Sequence, residues 1–240
     1  MSKGELRIFE TPEDVASGFA GFLKDFINGH PGNVTVALSG GSTPKLLFQV
    51  LSANYQTSVN WIKMQCYWGD ERCVRPSHEE SNYKMTKDYL LDNIRIPQSN
   101  IHRIHGEEQP EGESRRYTKH LQNSVNNHNG WPQFDLIILG LGSDGHTASI
   151  FPDQMQLLTA GQSCEVATHP ESGQKRITMT GSVLNNARNV AFLVTGESKR
   201  EKVHAIMNQT AEAESYPANF IRPAGNLYWY LDRAAAGDLK

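Results

Sequence analysis

The chain has 240 residues, 38% of them apolar and 20% charged, which suits a globular protein with a sizeable core and not a disordered one. Its formal net charge of −3 offers no general attraction to nucleic acid or to an anionic membrane, so any anion must be held by a few placed groups. Cys66, Cys73 and Cys164 lack C-x-x-C spacing, which points to free, mainly buried thiols in a reducing compartment and to no structural zinc. No basic-then-apolar leader opens the sequence and no apolar run approaches the ~20 residues that span a bilayer. A cytoplasmic protein with no membrane partner is expected.

In chain order, a helix is expected around Pro12 to Ile27. The β-branched run Asn33 to Leu38 then ends at Ser39-Gly40-Gly41. Thr43-Pro44 suits a capped first helical turn, and Leu46, Leu47, Val50 and Leu51 follow at helical spacing. A second unit runs Met64 to Trp68, then Gly69-Asp70-Glu71-Arg72, with a helix starting near Ser81-Asn82. The Glu-, Gly-, Asn- and His-rich region from Gly106 to Gln133 reads as a connecting arm, with a helix around Glu113 to Asn126. Phe134 to Leu139 is a buried strand broken by Gly140-Leu141-Gly142. Asn189 to Val194 ends at Thr195-Gly196, Ser198 to Met207 is helical, and Asn226 to Leu231 is a late strand.

Continuous apolar strands alternating with helices predict an α/β fold, a mostly parallel sheet covered on both faces, with residues 1–240 as one domain. Ligands bind such sheets beyond the carboxyl ends of the strands. The polar clusters Ser39 to Thr43, Asp70 to Arg72, Ser143 to His146 and Thr195 to Lys199 all fall there. Gly40, Gly41, Ser42 and Thr43 form either a phosphate cradle at a helix start or a capped turn without ligand; the Walker pattern is absent. Asp144 and His146 emerge from a glycine-rich turn, where a carboxylate can orient an imidazole base. G-x-S-x-G spacing is missing, which argues against a serine nucleophile. Asp70 and Arg72 offer a carboxylate and a guanidinium, or a solvated ion pair. Arg176 and Lys199 add cations near strand ends. The other histidines, including His102 and His105, show no metal-ligand spacing and read as surface residues.

ALSGGSTP, WGDERCV followed by SNY, LIILGLGSDGHTASIFP, the RIT segment, VAFLVTGESK and PANFIRPAGNLYWYLD resemble, in order and spacing, the 6-phosphogluconolactonase family, over about residues 8 to 233. The resemblance implies a Rossmann-like fold shared with glucosamine-6-phosphate deaminase. It also implies hydrolysis of 6-phospho-D-glucono-1,5-lactone to 6-phospho-D-gluconate in the oxidative pentose phosphate pathway, with no metal and no cofactor. By that resemblance His146 activates water and Asp144 orients the His146 imidazole. Gly40, Gly41, Ser42, Thr43, Asp70, Arg72, Arg176 and Lys199 contact the substrate, with Lys199 and Arg72 preferred for its phosphate. A monomer is expected, whose only partner is the small phosphorylated lactone. The deaminase pattern carries a glutamate where this chain has Phe151, and a phenyl ring cannot shuttle a proton. A sugar-phosphate sensor that binds without turnover is the remaining alternative.

Overall fold

The computed structural model describes residues 4–240. The first half of the chain carries β1 (Glu5–Phe9), α1 (Pro12–Gly29), β2 (Val34–Leu38), α2 (Ser42–Asn54), β3 (Met64–Trp68), β4 (Asp70–Arg72), α3 (Asn82–Tyr89), β5 (Ile101–His102) and α4 (Pro110–Ser124). The second half carries β6 (Asn127–His128), β7 (Trp131–Pro132), β8 (Leu136–Leu139), β9 (Cys164–Thr168), β10 (Lys175–Met179), α5 (Gly181–Asn186), β11 (Asn189–Val194), α6 (Arg200–Asn208), β12 (Asn226–Asp232) and α7 (Arg233–Ala236). Seven strands form one sheet in the order β1-β12-β11-β8-β2-β3-β5, and every neighbouring pair is parallel.

The central strands are apolar on both faces because both faces are covered. All four residues of β8 are buried, as are all but the first of β11. Alternation along β3 shows what covers them. Tyr67 donates to Ser124 of α4, whereas the Trp68 indole donates to Thr86 of α3. Successive strand side chains point to opposite faces, so α3 and α4 lie on opposite sides of the sheet. β12 does the same: Tyr230 meets Phe19 of α1 edge-on at 4.9 Å, and Trp229 stacks on Phe192 of β11 at 4.1 Å.

A second, antiparallel sheet in the order β4-β10-β9 was not visible in the hydrophobic pattern. Its strands are short, and β4 is the charged triplet Asp70-Glu71-Arg72. The expected connecting arm after Gly106 is instead a packed element. Tyr117 and Leu121 of α4 are fully buried, and Ser114 donates to the Cys164 carbonyl of β9. Around β2 the strand order reverses, with β3 on one side and β8 on the other. The loops leaving β2 and β8 therefore open a crevice at the carboxyl edge, the position where ligands enter such sheets. Among the described residues no helix is long and apolar enough to cross a membrane.

Candidate active site

The chain leaves β8 at Leu139 and closes a tight loop. The Gly142 N–H donates to the His146 carbonyl at 2.8 Å, and the Gly145 N–H donates to the Gly142 carbonyl at 3.1 Å. Gly145 has φ +89°, which glycine adopts without strain. Gly142 is required for a different reason: a Cβ there would lie 2.1 Å from the His146 Nδ1 and 2.5 Å from the Asp144 Oδ1. Its missing side chain is the space in which those two groups meet. The Asp144 Oδ1 stands 2.6 Å from the His146 Nδ1 and also accepts the His146 backbone N–H at 3.0 Å. With Nδ1 donating to the carboxylate, Nε2 is left as the acceptor nitrogen. Partial burial alone would raise the Asp144 carboxyl, but the hydrogen bond and charge of His146 outweigh it and hold it at about 2. The carboxylate therefore stays ionised under any ordinary working condition.

The loop leaving β2 presents the start of α2. Gly41, at φ +111°, precedes the helix, and no side chain caps it. The expected capping role of Thr43 is not what the structure shows, because Thr43 already lies inside the first turn. Its hydroxyl instead shares a 2.8 Å hydrogen bond with that of Thr195, tying α2 to the loop after β11. The first-turn N–H groups of a helix have no intrahelical partner and carry partial positive charge, so an uncapped start is open to an anion. Gly40 lies against the Asn82 carboxamide, where a Cβ would come within 1.9 Å of Oδ1.

The Asp70-Glu71-Arg72 triplet is not a solvated ion-pair cluster. Glu71 is buried and accepts the Asn82 and Tyr83 backbone N–H groups, both at 2.8 Å, together with the Ser81 hydroxyl. It holds the start of α3. Asp70 is buried as well, its Oδ2 accepting from the Ser149 hydroxyl at 2.7 Å. Arg72 faces Arg176 directly across the β4–β10 register. Like charges in that position repel, and both Nε atoms are buried without a hydrogen-bond partner. Burial, and then the Arg72 charge, push the Arg176 guanidinium below its ordinary value. Arg176 also lies over the Phe151 ring at 5.5 Å, and that ring touches the His146 imidazole at 4.8 Å. Lys199 stands just before α6. Burial pushes its ammonium down, with Asp144 pulling the other way.

These groups share one cavity of about 270 Å³. Every site residue expected from sequence lines it except Asp144, which reaches it through His146. The sequence reading did not name Asn82 or Ala148 as wall residues, and Thr195 entered it only as the edge of a polar cluster at the strand ends. Asn82 had registered as a helix start and as part of the SNY segment, with no role in a site. Ala148 carried no signal at all, although φ +49° is an unusual backbone for alanine. Two histidines were misplaced. His102 is half-buried, stacked on Tyr67 at 4.3 Å and bonded to the His120 Nε2 at 3.1 Å, so it is not a surface residue.

Residues 10–229 match the family described as glucosamine-6-phosphate isomerases/6-phosphogluconolactonase. The chain belongs to that family. A 6-phosphogluconolactonase of Haemophilus influenzae is 45% identical over 86% of this chain and 87% of its own length. A crystal structure of devB protein superposes with a TM-score of 0.94 at 40% identity, covering 98% of this chain and 99% of that one. That of 6-phosphogluconolactonase from Leishmania guyanensis gives 0.88 at 26% identity, with 99% of each chain covered. Within this family Phe151 is informative. It is fully buried against His146, and the position has no group that can carry a proton.

Proposed function

We propose that the chain hydrolyses 6-phospho-D-glucono-1,5-lactone to 6-phospho-D-gluconate, with His146 activating the attacking water. The observation that carries this reading is the Asp144–His146 pair, 2.6 Å apart, on a cavity that also presents three cations. In this mechanism the His146 Nε2 takes a proton as the water oxygen adds to the lactone carbonyl carbon. The tetrahedral intermediate then breaks its bond to the ring oxygen, which leaves with the proton from the imidazolium. The new carboxylic acid gives its proton to solvent. Asp144 fixes the tautomer and steadies the imidazolium, as a buried carboxylate does for other histidine bases.

The uncapped start of α2, the Thr43 and Thr195 hydroxyls, and Lys199 suit the phosphate, since they converge from neighbouring loops. The Arg72–Arg176 pair suits the negative charge that develops on the lactone oxygen, because Arg176 and His146 pack on the same phenyl ring. This moves Arg72 from the phosphate, where sequence had paired it with Lys199, to the reacting carbonyl. A δ-lactone is already an activated ester, so a placed base and a fixed water meet much of the demand. The reading takes the chain as a single-domain, cytoplasmic monomer of the oxidative pentose phosphate route.

The test is to generate the lactone in situ and follow its loss by NMR, comparing wild type and His146→Ala with the spontaneous rate. Fast loss with wild type alone is expected. Loss at the spontaneous rate with both proteins overturns the reading, and ammonia release from glucosamine 6-phosphate would then favour the deaminase.

A further inference from the structure

Asn82 is 2% exposed yet lines the cavity. It is the first residue of α3, and its backbone N–H is taken by Glu71. Its carboxamide is oriented by Asp70. The Nδ2 group donates to the Asp70 carbonyl at 3.0 Å and stands 3.5 Å from Oδ1 of the same residue. Flipping the amide would set Oδ1 against two oxygens, so the hydrogen bonds decide which end faces which way. Oδ1 consequently points towards Gly40, whose missing Cβ leaves room for it. Among the described residues, none donates a hydrogen bond to this oxygen.

The charged part of the surrounding wall is mostly donors. The start of α2, Arg72, Arg176 and Lys199 all donate, while the Asp70 carboxylate accepts from Ser149 at Oδ2 and faces the Asn82 Nδ2 with Oδ1. Sugar hydroxyls are donors as well as acceptors, and a donor buried without an acceptor costs binding. A neutral acceptor also suits this place better than a carboxylate, which would repel Asp70 at hydrogen-bond distance.

We propose that Asn82 is a specificity-determining residue whose Oδ1, held by Asp70 beside Gly40, accepts a hydrogen bond from a ring hydroxyl of a phosphorylated pyranose. The inference rests on the functional reading for the class of ligand. Binding is therefore measured without turnover, by calorimetry with 1,5-anhydroglucitol 6-phosphate and its 2-, 3- and 4-deoxy counterparts. One deoxy ligand is expected to bind wild type about tenfold more weakly than the parent, the scale of one hydrogen bond in a closed site. Asn82→Ala is expected to weaken the parent by a similar factor and that deoxy ligand no further. Additive losses would make Asn82 a loop support only. If no deoxy ligand lost more than about twofold in wild type, the proposal would fail whatever the variant did. Should wild type fail to open the lactone, the functional reading falls, while the binding cycle still decides Asn82.

Discussion

The Asp144–His146 loop and the Arg72–Arg176 pair face one cavity but are built by opposite means. The loop is local. Two residues apart in sequence, its carboxylate and imidazole meet because Gly142 leaves them room and Gly145 turns the chain. The arginines are more than a hundred residues apart and meet through one antiparallel register. The local device is stabilised by its own hydrogen bonds. The long-range one sets two guanidinium groups side by side, each with a buried Nε that has no partner, although Arg72 also donates to the Glu80 carbonyl and Arg176 lies over the Phe151 ring. Under the proposed mechanism the base is held by its own loop, whereas the cations depend on the register of two distant segments.

The comparison can be broken in several ways. The largest effect is expected for His146→Ala, which should lower kcat by about 10²–10⁴ in the folded protein; near-normal turnover would show that the loop does not supply the base. Gly142→Ala comes next. Its Cβ would displace the imidazole, and a shift on the scale of 1 Å can cost about 100-fold. Steady-state kinetics with a circular-dichroism control would check this, and unchanged kcat would mean that the loop tolerates the methyl group. Arg176→Met should reduce kcat/KM by at least about tenfold. It should nevertheless leave the urea midpoint no lower than wild type, because it removes a half-buried charge that directly faces Arg72. A clearly lower midpoint would show that the pair is not repulsive in the folded protein.

The smallest effect concerns the remote histidine pair. Burial, with the His120 charge behind it, lowers His102 from its ordinary 6.5 to about 4. The unfolded chain therefore binds a proton at His102 below pH 6.5 that the folded protein does not bind until about pH 4. Stability from this site is full above 6.5 and falls as the pH drops from 6.5 to 4. His102→Gln should flatten that part of a denaturation profile and leave activity near pH 8 unchanged. An unaltered acid limb would place the sensitivity elsewhere.

Much of the large sheet was legible because its strands are buried on both faces. Met64 to Trp68 and Asn189 to Val194 fall where their apolar runs do, and the helix expected from Pro12 to Ile27 runs on two residues to Gly29. The small sheet was not legible. β4 is a polar triplet, and β10 has an exposed first residue and a half-buried second, so neither strand shows a sustained alternation. Thr43 was misread because a threonine before a proline fits a cap equally well. Only the position of Thr195 shows that its hydroxyl is engaged elsewhere.

By itself, the sequence determined the α/β class, the carboxyl-edge position of the polar clusters, and the glycine-shaped turn that carries Asp144 and His146. Each of these is a short-range property, set by side-chain period and by backbone freedom over a few residues. Tertiary structure alone decided that Arg72 faces Arg176, that Asp70 and Glu71 are buried anchors, and that Asn82 stands in the wall. Those outcomes depend on which distant segments pair and in what register. A polar residue carries no mark of whether its partner will be water or another part of the chain.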